Sequence, residues 1–181
     1  MIRAGCALLM GCLLLIAPLL GLAGGNSLLI PTTSRCVLDT SPESREMALE
    51  QCRRFAKGGD LDAQYELGEY FYNAPQGRDV AQARYWYEQA SLKGHADAQL
   101  RLGTLFWQGE GVPANKVQAY ILLKMSAVNG SEEAMDNADQ LTTEMSRDEL
   151  TRANRVLGDI FRNYLQELQS DKLIKPSALS H

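Results

Sequence analysis

The sequence predicts an all-α fold, a solenoid of stacked helical hairpins, and two observations carry that prediction. The first is a repeat. Ala63-Gln64-Tyr65-Glu66-Leu67-Gly68 lies over Ala98-Gln99-Leu100-Arg101-Leu102-Gly103 at an offset of 35 residues. Ala83, Trp86, Tyr87, Ala90 and Gly94 then lie over Ala119, Leu122, Leu123, Ser126 and Gly130 at an offset of 36, the extra residue falling in the turn Gly109-Glu110-Gly111-Val112-Pro113. The second observation is what each unit contains, two short helices with small residues at fixed places. A hairpin of that size cannot bury its apolar face alone, so it must stack on a neighbour.

Taken in order, residues 1–23 carry Arg3 as their single charge, then an apolar core through Leu13-Leu14-Leu15-Ile16-Ala17. Pro18 interrupts the helical run and Gly21-Leu22-Ala23 supplies the small side chains that a signal peptidase reads, so this segment is expected to be a secretory signal cut after Ala23. The apolar run is also about long enough to span a bilayer, which leaves an uncleaved inner-membrane anchor as the alternative. A lipid-modified Cys12 is disfavoured, because it would leave the apolar stretch 13–22 just behind the lipid.

Residues 24–58 read as an extended lead-in and a capping helix. Ser41 is placed to cap a helix that starts at Pro42, where the missing N–H costs nothing, and Gly58-Gly59 ends it after Lys57. Met47, Ala48, Cys52, Phe55 and Ala56 form its apolar stripe. Cleavage would leave Cys36 and Cys52 as the remaining cysteines, and an even count in an oxidising compartment predicts a disulfide between them. The loop so closed spans 16 residues, for which chain entropy gives about 3 kcal/mol. The alternative is a pair of reduced, buried thiols.

The first repeat, 59–94, opens its first helix at Asp62 and packs with Ala63, Leu67, Tyr70 and Phe71. Gly68 stands mid-helix at a propensity cost of about 1 kcal/mol, which marks close approach of a neighbouring helix. Asp79 with Gln82 caps the second helix, and Asn115 with Gln118 repeats the device in the second unit, 95–130. Leu122 there replaces Trp86, and the longer Met125 is expected to fill the difference. From 131 to 170 the pattern loosens into a degenerate third repeat. Ala134, Ala138 and Leu141 continue the first-helix stripe, and Ser146 with Glu149 caps a long terminal helix whose apolar face runs from Leu150 to Leu168 and ends near Ser170. Residues 171–181 read as a disordered tail. The long helix serves either as a terminal cap or, through 161–168, as a docking or self-association surface.

The strings Gly59-Asp60-Leu61-Asp62-Ala63-Gln64-Tyr65-Glu66-Leu67-Gly68, Ala83-Arg84-Tyr85-Trp86-Tyr87-Glu88-Gln89-Ala90 and Lys93-Gly94-His95-Ala96-Asp97-Ala98-Gln99, with the turn from Gly109, closely resemble the Sel-one-like repeat, a relative of the tetratricopeptide repeat. The resemblance covers residues 59 to 145. It implies a right-handed α/α superhelix of scaffold or adaptor type, as in many bacterial envelope proteins, and it implies no catalytic residues. The first unit departs from the pattern at Asn73-Ala74-Pro75-Gln76-Gly77, where the glycine-rich turn is missing.

A formal charge of −4 and the absence of a Lys/Arg run give no footprint for nucleic acid. Two exported cysteines with His95 and His181 make no four-ligand metal set, and no nucleophile–base arrangement or phosphate cradle is present. No enzyme activity and no cofactor are expected. The residues that stand out are large side chains at i, i+4 and i+7 on the two first helices: Tyr65, Glu69 and Tyr72, then Leu100, Thr104 and Trp107. In a solenoid they would line the concave face and bind a protein segment, since Tyr and Trp dominate such contacts. The expected function is a periplasmic or cell-envelope interaction scaffold. The alternatives are an assembly subunit of an envelope machine, such as a flagellar motor or secretion system, and an accessory binding module for a cell-wall enzyme.

Exported protein recovered from its native host is expected to begin at Gly24. Intact mass checks this, and a mass that retains residues 1–23 or carries lipid on Cys12 would refute it.

Overall fold

The computed structural model describes residues 36, 38, 41–74 and 77–174. The expected signal segment, most of the extended lead-in and the end of the expected tail lie outside these residues. The described residues form an all-α solenoid of consecutive helical hairpins without strands. Its helices are α1 (Pro42–Lys57), α2 (Leu61–Asn73), α3 (Val80–Ser91), α4 (Ala96–Gln108), α5 (Lys116–Val128), α6 (Glu132–Thr142) and α7 (Arg147–Ile174). Consecutive helices from α1 to α6 pack in chain order, and α7 packs against α5. First helices (α2, α4, α6) and second helices (α3, α5, α7) therefore form two layers. Among the described residues no helix is long and apolar enough to cross a membrane.

Caps define most starts. Asp79 and Asn115 accept from the backbone N–H of Gln82 and Gln118 at 2.9 and 3.1 Å, and Ser146 with Glu149 closes a reciprocal box ahead of α7. Two details differ from the sequence reading. Asp60, not Asp62, caps α2, its Oδ1 accepting from Ala63 N–H at 2.9 Å, because the helix begins one residue earlier at Leu61. Ser41 holds the N-cap position of α1 without a side-chain cap bond; its hydroxyl lies 3.1 Å from that of Ser44 instead.

Close packing explains the mid-helix glycines. A Cβ built on Gly68 would stand 2.3 Å from the Tyr87 ring, so α2 lies on α3 at a distance that only hydrogen permits. The equivalent Gly103 faces Leu123 at 3.1 Å, a flexible side chain in place of a rigid ring. Two apolar clusters result. One joins Cys36, α1, α2, α3 and part of α4 around Leu67, Phe71, Trp86 and Tyr87; the other joins α4 through α7 around Leu123, Ala138, Leu141 and Leu157. The Cys36–Cys52 disulfide forms with the Cα atoms 4.8 Å apart, and both cysteines are buried in the first cluster. It ties the lead-in to α1.

α7 continues to Ile174, so the helix passes the expected stop at Ser170 and residues 172–174, placed in the tail by composition, are helical. Between Ser170 and Pro176 no proline or glycine interrupts the chain, and a helix proceeds until something stops it.

The three helical glycines are expected to respond differently to alanine. Gly68→Ala should lower stability by about 1–3 kcal/mol through overpacking against Tyr87. Gly103→Ala should cost less, because Leu123 can shift. Gly158→Ala, where no atom lies within 4 Å, should gain up to about 1 kcal/mol of helix propensity. Thermal melts of the three variants give the order.

Candidate functional site

Two surfaces follow from the layers, one on the first helices and one on the second. On the first-helix face, α2 contributes Tyr65, Glu69 and Tyr72, and α4 contributes Thr104 and Trp107. Leu100 does not join them: it is 6 % exposed and packs in the second cluster. On the helix surface Leu100 begins the line that Thr104 and Trp107 continue, but α6 closes over this part of α4 and buries it. Thr104 returns its hydroxyl to the Leu100 carbonyl at 2.9 Å.

The remaining residues of this face are tied across units. Glu69 is the centre of one network. It accepts from the Tyr87 hydroxyl at 2.7 Å, from Arg101 at 2.8 and 3.2 Å and from Asn73 at 3.0 Å. Tyr65 stacks on His95 with centroids 4.8 Å apart. His95 caps α4, its Nδ1 accepting from Ala98 N–H at 3.2 Å, while its Nε2 lies 3.5 Å from Asp62. The cap needs the Nδ1 lone pair, so the ring proton belongs on the nitrogen that faces Asp62.

The two large rings share one device. Tyr72, near the end of α2, donates its hydroxyl to Glu110 at 2.9 Å in the turn after α4. Trp107, near the end of α4, donates its indole N–H to Glu144 at 3.2 Å in the turn after α6. A cation supports each acid. Arg78 pairs with Glu110 and lies 4.2 Å over the Tyr72 ring, and Lys116 sits 3.6 Å from Glu144 while donating to its carbonyl at 2.8 Å. Each unit thus fastens to the inter-helix turn of the next. The sequence reading picked out the rings and missed Arg78, Glu110, Lys116 and Glu144. The available signal was a pair of acids 34 residues apart behind a pair of rings 35 apart.

On the second-helix face α3 and α5 do not close on one another. Between them lies an open groove of about 600 Å³ lined by Leu92, Leu102, Phe106, Val117, Ile121, Leu122 and Val156, with Glu88, Gln89, Ser91 and Gln118 as its polar members. Its origin is the substitution already visible in the repeat. Trp86 is buried in the first cluster, whereas Leu122, in the same slot, borders open space. Met125 does not fill it. Three residues along a helix turns a side chain by about 60°, and Met125 packs instead against the second cluster. Leu92, 82 % exposed, stands at the groove's rim just past the end of α3.

Among the described residues no group of His, Cys, Asp and Glu side chains could hold a metal ion. Several phenols hold their protons above the ordinary tyrosine range. Tyr87 is the most affected, first by burial and then by the Glu69 carboxylate that accepts its hydrogen bond. Burial raises Tyr65, Tyr72 and Tyr120 as well. A group whose pKa is raised by folding adds stability below its unfolded value and loses it above. Stability is therefore expected to fall as the pH passes about 10. In urea titrations across that range Tyr87→Phe should show a shallower fall and a loss of about 1 kcal/mol at neutral pH, while Glu69→Ala should cost about 1–3 kcal/mol by orphaning the buried hydroxyl.

Residues 61–95 and 96–131 match the Sel1 repeat family model. The chain is similar to a solved Sel1 repeat protein from Oxalobacter formigenes, with 25 % identity and a TM-score of 0.50, over 52 % of this chain and 39 % of that one. It is also similar to a protective antigen present in uropathogenic Escherichia coli strains that displays an SLR fold, with 26 % identity and a TM-score of 0.62, over 78 % of this chain and 30 % of that one. This chain spans well under half the length of either. Repeat folds of this type generally act as protein–protein interaction scaffolds. The two tandem matches, each a helical hairpin stacked on the next, mark residues 61–131 as Sel1 repeats within a Sel1/TPR-like α-solenoid.

Proposed function

We propose that this chain is an interaction scaffold of the bacterial cell envelope that receives an apolar segment of a partner protein in the groove between α3 and α5. The groove carries the proposal. It is lined mainly by apolar side chains with a few polar members, which is the composition of a protein-binding cleft. The first-helix line Tyr65, Glu69, Tyr72, Thr104 and Trp107 is a weaker candidate, because the polar atoms of Glu69, Tyr72 and Trp107 are engaged between units, by Arg101, Glu110 and Glu144 respectively. A location outside the cytoplasm is supported by the buried Cys36–Cys52 disulfide, since such bonds persist in oxidising compartments.

Crosslinked capture from the native envelope tests the groove, with thermal melts of every purified variant. Leu122→Trp restores the ring of the first unit and should occlude the groove. Leu92→Arg places a charge at its rim on a side chain too exposed to matter for folding. Both should melt near the wild type and lose at least tenfold of the captured partner, while Trp107→Ala keeps it. If Leu92→Arg and a folded Leu122→Trp both retain the partner, the groove is not the site; if Trp107→Ala alone loses it while folded, the first-helix face is.

A further inference from the structure

α7 is too long for the place it occupies. It runs beside α5 as the next second helix, but α5 has 13 residues and α7 has 28. At 1.5 Å per residue these are roughly 20 and 42 Å, so the last half of α7 passes the end of its support. Burial follows this length. Ala153 and Leu157 are buried and Ile160 is half-buried, whereas every residue from 161 to 170 is exposed. The apolar stripe does not stop with the support. Phe161, Tyr164, Leu165 and Leu168 continue it at i, i+3, i+4 and i+7, exposed by 38, 56, 56 and 40 %. A terminal cap ordinarily presents a polar outer face, and this overhang presents two rings and two leucines.

We propose that the overhang of α7 pairs antiparallel with the overhang of a second copy, giving a two-fold symmetric dimer. Three features favour this occupant. The stripe is self-complementary about a point between Tyr164 and Leu165: reversed against itself, it sets Phe161 of one copy at the level of Leu168 of the other, and Tyr164 at the level of Leu165. A two-fold contact requires such self-matching. The orientation is fixed by bulk, because the stripe lies on the side of α7 that faces α5. A parallel partner would bring its own folded body into the space of α5, whereas an antiparallel one carries it to the far end. The polar residues of the overhang are of mixed sign, with Arg162 bonded to Asp159 at 2.9 Å and Glu167 beyond. They form no basic face of the kind an anionic membrane surface selects.

The area sets the strength. Two rings and two leucines supply roughly 400 Å² per copy, about half of what a standard interface buries on each partner. Pairing is therefore weak and concentration-dependent, with a dissociation constant on the order of micromolar or above. The dimer stands independently of the groove proposal, and it would place two α3–α5 grooves in one particle, so that a partner with two binding segments gains avidity.

Sedimentation equilibrium of the purified full protein over micromolar to millimolar concentration reads the dimer directly. The wild type should move from monomer mass toward dimer mass. Leu165→Asp should remain monomeric with an unchanged melt, as its side chain touches no core. Orientation is read separately by single cysteines under mild oxidation: Leu165→Cys, near the two-fold axis, should form a disulfide-linked dimer, and Leu168→Cys, further from it, should not. A wild type that stays monomeric throughout, or a Leu165→Asp variant that still dimerises, overturns the proposal. Equal crosslinking at both positions overturns the antiparallel arrangement. Co-sedimentation of monomer with anionic lipid vesicles, lost in Leu165→Asp, would assign the stripe to a membrane instead.

Discussion

A hairpin whose two helices expose an apolar face must present that face to another hairpin, and in this chain the contact is held by one buried amide per unit. Gln64 donates to the Ala56 carbonyl at 2.8 Å, and Gln99, 35 residues later, to the Ser91 carbonyl at 3.0 Å. Both side chains are buried, and both bind a carbonyl in the last turn of the helix before them, one that also accepts from a backbone N–H of the following turn, Gly59 and Gly94 respectively. Each bond fixes the angle at which one unit follows another. In the third unit the position passes to Met135, which is exposed, and there the repeat grammar loosens.

The bonds that reinforce the stack lie at its surface. Tyr72 with Glu110 and Trp107 with Glu144 reach from the end of a first helix to the next unit's turn, each with a cation at the acid. These rings resemble binding residues in sequence because an exposed aromatic at a fixed helical position is also how an interaction face is written. Their N–H and O–H groups, directed along the array, make them fasteners between repeats. The free apolar area lies on the other layer, where a leucine in a tryptophan slot leaves the groove and a helix longer than its neighbour leaves the overhang.

The disulfide completes the same logic at the amino-terminal end. Among the described residues no hairpin precedes α1, and the lead-in residues Cys36 and Leu38 pack against the first cluster beside it. At the other end, among the described residues, no helix follows α7 and no disulfide holds it.

The sequence by itself determined the period, the caps at Asp79 and Asn115 and the close approach at Gly68. These are local or periodic facts: caps, glycine positions and apolar spacing act within one or two turns, and the repeat shows each of them twice. Only the tertiary structure decided that Leu100 is interior, that Met125 turns away from the space beside Leu122, that Tyr72 and Trp107 bind acids 38 and 37 residues distant, and that α7 outruns α5. Each depends on side chains from three or more helices at once. Whether a gap is filled is set by their summed volume and direction, which no spacing within one helix contains.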